Sequence, residues 1–289
     1  MICKDTRVAS DADGVSLFVR SWEPEGAAKG TVQLLHGLAE HIERYERFAE
    51  ALVSAGYRVL GYDQRGHGRS VPEGGSFGDA GAPGWVGMGD DAVQMIRRTK
   101  ALYPDEPIIL FGHSMGSFVA QNATLQASED LAGLILSGST DLAMVAQLVE
   151  ATGEAPSFAT YNAAFAPNRT EFDWLSRDND EVDKYIADPM CGWDAPPEFA
   201  AGMVAGGKLL GDIEELSKIR KDLPILLVAG SADPLNGGLS LLQSLKARFE
   251  GLGLRVDTQF YPEGRHEMLN EINRDDVTKA LTNWIERLH

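Results

Sequence analysis

The chain has 289 residues, 44% of them apolar, two cysteines and a formal net charge of −17. That is enough apolar material for one large domain with an insertion, and the cysteines are too few for a disulfide scaffold and lack metal-ligand spacing. The acidity argues against a nucleic-acid partner and against tight docking on anionic membranes, and no apolar run approaches membrane-spanning length.

Taken in chain order, residues 6–10 and 16–22 flank the turn-rich Asp11-Ala-Asp-Gly14 and read as a hairpin. Short apolar strands follow at 31–35 and 58–62, separated by an amphipathic helix near 45–54 that stops at Gly56, a left-handed C-terminal cap. A glycine-rich loop holding Trp85 is expected over 70–89, then a helix from about 90 to 103. Further strands are expected at 107–111, 131–137, 224–229 and 255–261, with helices near 240–250 and 274–288. Alternating strands and helices mean an α/β fold with a mostly parallel sheet covered on both faces, its working site at the carboxyl ends of the strands.

One stretch breaks that alternation. Residues 139–220 carry helical stripes, scattered prolines and aromatics, but no strand-like run. Such a length is too great for an ordinary connection. The expectation is a core of residues 1–138 and 221–289 with a helical cap, 139–220, inserted over the sheet edge. Within it Leu142, Val145, Leu148 and Val149 recur at helical spacing, with Met144 nearby; they suit an acyl-binding wall or packing on the sheet.

The most informative motif is Gly112-His-Ser-Met-Gly116, between a short apolar run and a helical pattern. This is the sequence form of a nucleophile elbow, a sharp strand-to-helix turn that exposes one serine hydroxyl. Ser114 is the expected nucleophile, at a helix N-terminus that favours developing negative charge. A serine needs a base, and the base needs a third group to fix its tautomer. Of the six histidines, His266 follows a late strand after the nucleophile, whereas His289 is the terminal residue. Asp233, just past the end of a buried strand and before Pro234, is the expected acid, with Glu263 and Asp257 as rivals. The oxyanion donors expected are the N–H groups of Met115 and, from the loop after the first parallel strand, Leu38.

The motifs His36-Gly-Leu-Ala-Glu-His-Ile-Glu-Arg-Tyr45, Asp63-Gln-Arg-Gly-His-Gly-Arg-Ser70, Gly112-His-Ser-Met-Gly116 and Gly230-Ser-Ala-Asp233 resemble the monoacylglycerol lipase/lysophospholipase branch of the α/β-hydrolases. The resemblance runs over nearly the whole chain and is weakest in the cap. It implies an eight-stranded sheet with a cap, carboxylic ester hydrolysis and no cofactor. It assigns Ser114, Asp233 and His266 as the triad, Leu38 and Met115 as oxyanion donors, and Glu40 and Arg44 to the alcohol end of the pocket, where a loop-bracing salt bridge explains them equally well. Ala39 stands where the family usually has glycine. Residues 63–70 read as a structural turn with His67 satisfied inside it.

The expected function is a serine hydrolase for monoacylglycerol- or lysophospholipid-like esters, acting on a small-molecule ester without metal, nucleic acid or stable membrane insertion. A short-chain carboxylesterase, thioesterase, lactonase, acyltransferase or peptidase would use the same machinery. A ligand-binding receptor on a hydrolase scaffold is the non-enzyme alternative. The segment Met1-Ile-Cys-Lys-Asp-Thr lacks the charged-then-apolar pattern of a secretory signal, so a cytoplasmic location is expected.

Overall fold

Eight strands make one sheet in the order β1-β2-β4-β3-β5-β6-β7-β8. The structure is a computed structural model, and it describes residues 1–154 and 157–288. The strands are β1 Ile2–Ala9, β2 Ser16–Glu23, β3 Thr31–Leu35, β4 Arg58–Tyr62, β5 Ile108–His113, β6 Leu131–Ser137, β7 Ile225–Gly230 and β8 Val256–Tyr261. The hairpin β1–β2 joins β4 antiparallel, and every later pairing is parallel. Strands β3, β4, β5 and β7 are buried along their whole length. Covered on both faces, they read in sequence as largely apolar runs, broken by Gln33 in β3 and opened by Arg58 in β4, and that is why their limits were legible. The edge strand β1 is instead mostly exposed and carries Lys4, Asp5 and Arg7, charges that discourage edge-to-edge pairing.

The pleat splits the core between two layers. On one face Leu110, Leu134 and Leu227 pack with Val93 of α2 (Gly84–Leu102), Phe118 of α3 (Met115–Ala127) and Phe249 of α9 (Ser240–Gly251). On the other, Ile109, Phe111, Ile135 and Val228 pack with Phe48 and Leu52 of α1 (Glu46–Ser54) and with Leu281 and Trp284 of α10 (Arg274–Glu286).

Between β6 and β7 lie α4 Leu142–Thr152, α5 Phe158–Asn162, α6 Asn179–Ala187, α7 Pro197–Leu209 and α8 Ile213–Leu216, with no strand among the described residues. Along α4 the apolar stripe divides. Leu142 and Val145 join the main core, whereas Met144 and Leu148 are exposed.

The expected loop at 70–89 needs correction at its end. Helix α2 already begins at Gly84, so Trp85 lies in its first turn, buried against Phe199 of α7 at 6.1 Å between ring centres. Gly84, Gly87 and Gly89 hid the helix from a propensity reading. At Gly87 a methyl group would press to 2.5 Å from Pro83 and 2.9 Å from Arg65, so close packing outweighs helix propensity there. His289 lies outside the described residues.

Candidate active site

Ser114 joins β5 to α3 with φ +51° and ψ −123°. A non-glycine residue in that region is strained by about 1–3 kcal/mol and persists only where its surroundings impose it. Here they do: the Ser114 N–H donates to the Ser137 carbonyl at 2.9 Å, and its own carbonyl accepts from Ser117 N–H at 2.8 Å and Ser117 Oγ at 2.6 Å. The flanking glycines are steric necessities. A methyl group on Gly112 would stand 2.4 Å from the Gly116 carbonyl oxygen, and one on Gly116 would stand 2.2 Å from that of Leu35.

The partners arrive from the ends of β7 and β8. Gly230 closes β7 so tightly on the next loop that a Cβ there would lie 1.9 Å from the Gly264 oxygen, which also accepts the Ala232 N–H at 2.9 Å. That approach brings His266 beside Asp233. The His266 Nδ1–H donates to Asp233 Oδ2 at 2.9 Å, while Asp233 Oδ1 accepts the Leu235 N–H at 2.9 Å. Both side chains are buried. The rivals are placed elsewhere: Glu263 is exposed beside Arg177, and Asp257 accepts the Trp284 indole N–H at 2.8 Å.

Burial disfavours a charged ring at His266, but the charge and hydrogen bond of Asp233, with Glu267 and Glu40 beyond it, outweigh that and hold its pKa above the ordinary histidine value. Its neighbour His113, 4.8 Å away between ring centres, goes the other way. Burial and the nearby His266 push it down to about 4, so it stays neutral. Ser114 and His266 line one cavity of about 20 Å³, together with Gly37, Leu38, Glu40, His113, Phe158 and Tyr185. Among the described residues no hydrogen bond reaches the Ser114 hydroxyl. A ring and hydroxyl sharing one cavity can meet through a small side-chain rotation, and such contacts tighten once substrate is bound.

Leu38 follows β3 in a turn whose geometry is fixed by His36. The His36 Nδ1–H donates to the Gly37 carbonyl at 2.8 Å, and its Nε2 accepts the Gln64 N–H at 2.9 Å. Burial holds this ring neutral, with a pKa lowered to about 3. Among the described residues, neither the Leu38 N–H nor the Met115 N–H meets a protein acceptor. Ala39 takes φ +54°, the conformation that glycine would adopt without strain. Its carbonyl is held from across the chain by the Gly192 N–H at 3.0 Å and the Tyr185 hydroxyl at 2.9 Å.

Glu40 and Arg44 belong to a buried ionic group. The Glu40 carboxylate accepts from Gly37 N–H at 2.5 Å, Tyr45 OH at 2.8 Å and Arg44 at 2.6 Å. Arg44 also grips Glu267 through two bonds of 2.7 and 2.8 Å. Glu40 lines the cavity beside Ser114, and Arg44 stands behind it as counter-ion, so bracing is the interaction the geometry displays. In the 63–70 turn, Asp63 accepts the backbone N–H groups of Ile42 at 2.9 Å and Arg69 at 2.7 Å, as a structural turn requires. His67 is only half satisfied there. Its Nδ1–H donates to the Arg65 carbonyl at 3.0 Å, but its Nε2 is buried without a partner, against the Trp193 ring at 4.8 Å.

Sequence reasoning missed Trp174, whose ring lies 4.7 Å from that of His266, and Glu267, the third member of the ionic group. The adjacency of Glu267 to His266 was a signal for the second. For Trp174 there was none.

Comparison with known proteins agrees with this architecture. Residues 26–273 match the family described as serine aminopeptidase, S33. The chain is 30% identical to the monoglyceride lipase of Mus musculus, covering 91% of this chain and 87% of that protein. It is 28% identical to the monoacylglycerol lipase of Mycolicibacterium smegmatis, covering 94% and 93%. Among solved structures, a highly thermostable carboxyl esterase from Bacillus coagulans, in complex with glycerol, superposes with a TM-score of 0.87 at 26% identity, covering 100% of this chain and 99% of that one. A strained serine between two obligatory glycines, a buried His–Asp pair beside it and an eight-stranded sheet thus meet a match over most of the sequence: the chain belongs to the S33 family of α/β-hydrolases, in the branch of the monoglyceride lipases, and is a serine hydrolase of carboxylic esters.

Proposed function

We propose that the chain is a monoacylglycerol lipase in which Ser114 is the nucleophile, His266 the general base and Asp233 the acid that orients it. The observation that carries this reading is the buried 2.9 Å Asp233–His266 bond, whose imidazole lines the same cavity as a serine held at φ +51°. With Nδ1–H committed to Asp233, the Nε2 of His266 is left as acceptor for the Ser114 proton. The hydroxyl oxygen attacks the ester carbonyl, and the oxyanion is met by the Leu38 and Met115 N–H groups. The alcohol then leaves with the proton from His266, and water hydrolyses the acyl-enzyme by the same steps in reverse roles. A raised His266 pKa suits the second half of each step, in which the imidazolium must hold a proton until the leaving group takes it.

Residues 139–220 act in this reading as a cap. Phe158, Trp174, Leu175 and Tyr185 cover a cavity of about 20 Å³, room for about one water, so an acyl chain enters only after part of that cover moves. No described helix is long and apolar enough to cross a membrane. The two cysteines are free, which supports a reducing, cytoplasmic setting.

A turnover series tests the reading. Monoacylglycerols of increasing chain length, the matching lysophospholipids and acetyl esters are compared, with Ser114→Ala as control. Fastest turnover is expected on monoacylglycerols of medium or long chain. A preference for acetyl esters overturns the lipid assignment, and activity surviving in Ser114→Ala overturns the nucleophile.

A further inference from the structure

Residues 173–177 do not cover His266 as a loose flap would. They run alongside residues 265–271, the loop that carries the histidine. The His266 N–H donates to the Trp174 carbonyl at 3.4 Å, and the Glu267 N–H to the Leu175 carbonyl at 2.8 Å. Arg265 reaches back to the carbonyls of Asp173 and, at 3.1 Å, Ser176. Ser176 Oγ donates to the Asn270 carbonyl at 2.8 Å.

At the end of this strip lies Glu271, whose side chain has no exposure to solvent. One of its oxygens accepts the N–H groups of Arg177 at 3.1 Å and Arg265 at 2.9 Å. The other accepts Arg177 Nε and the Ile272 N–H, both at 2.9 Å. A buried carboxylate with four donors is a strong clip, and exchanging one of its oxygens for an amide nitrogen leaves two of those donors without an acceptor. Helix α5 joins this strip at Trp174, through the rings of Phe158 and Tyr161 at 5.4 and 5.2 Å and through Asn162 Oδ1, which accepts the Trp174 N–H at 3.0 Å.

Resting on the proposed triad, we infer that Glu271 is a positioning residue for His266: it fastens residues 173–177 to the histidine loop, so that Trp174 fixes the ring's plane and the strip belongs to the catalytic frame.

The test uses the full chain with Glu271→Gln and, because a buried change risks folding, the partly exposed Arg177→Met. Active sites are counted by fluorophosphonate titration, melting is measured, and kcat and KM are determined on one acetyl and one long-chain ester. In Glu271→Gln, kcat per active site is expected to fall about tenfold to a hundredfold, the scale on which small misplacements of reacting groups act. Arg177→Met keeps three of the four bonds and is expected to lose about threefold, since each small loss of orientation enters the rate exponentially. Both losses should be equal on the two esters with KM little changed, and the downfield His266 Nδ1–H proton resonance should broaden. Lowered melting with unchanged kcat per site overturns the inference, as does a loss that depends on acyl length. His266→Ala run in parallel separates the two readings. If it retains wild-type kcat the triad fails, whereas if it alone loses kcat only the role of Glu271 fails.

Discussion

Strands β5 and β7 deliver Ser114 and Asp233 from backbone buried along its entire length, whereas helices α4, α7 and α8 display Met144, Leu148, Leu209 and Ile213 at 40 to 65% exposure. The first region is close-packed to the point that single hydrogens on Gly112, Gly116 and Gly230 cannot be replaced by methyl groups. Elsewhere in the inserted segment, a small aromatic cluster around Trp174, Leu175 and Tyr185 is packed by Phe158, Tyr161, Phe165 and Phe172, apart from the main core. The contrast teaches that precision and access are separately built. The sheet edge holds the backbone at Ser114 and Asp233 rigidly, and the inserted segment, the proposed cap, is the looser part, except along residues 173–177, where it is bonded to the histidine loop.

Three changes sharpen or break this comparison. The largest effect is expected from Asp233→Asn, which keeps the shape but strands His266 in the wrong tautomer; a loss of about 10⁴ in kcat is the scale for such a change. The pH profile adds a sign. In the proposed mechanism His266 acts as base when neutral, so activity should rise with pH through its pKa, which Asp233 holds above the ordinary value. Removing that charge should move the acid limb of kcat/KM to lower pH while the plateau drops. An unmoved limb would show that another group titrates there.

Next, Gly116→Ala should destabilise the fold by about 3 kcal/mol or abolish soluble expression, since its methyl group meets the backbone of β3 and not a yielding side chain. Denaturant titration measures it, and a change below about 1 kcal/mol, within the range of ordinary surface substitutions, would mean that the elbow is looser than its geometry. The smallest effect is expected from Leu148→Glu on α4, whose side chain is 58% exposed. Its stability should stay within about 0.5 kcal/mol of the parent. A substantial loss would show that this helix is as tightly integrated as the sheet.

Much of the scaffold was readable before any coordinates. Strands 31–35, 58–62 and 131–137 coincide with β3, β4 and β6 because a doubly covered parallel strand is mostly apolar and is bounded by polar turns. The elbow was readable for a related reason: only glycine fits where Gly112 and Gly116 sit, so local sterics write themselves into composition. The start of α2 was not, because glycines at 84, 87 and 89 lower helix propensity there, and the one at 87 answers to Pro83 and Arg65, which local sequence does not reveal.

The sequence by itself determined the mostly parallel sheet and the sharp turn bearing Ser114, since each strand and the elbow are written in residues a few positions apart. Tertiary structure alone decided that Arg44 would hold Glu267, that Trp174 would cover His266 and that Glu271 would clip Arg177. Those pairs are 223, 92 and 94 residues apart. No local periodicity encodes them; they exist because the parallel sheet brings the ends of β3, β7 and β8 to one edge and leaves buried charges there that must find partners.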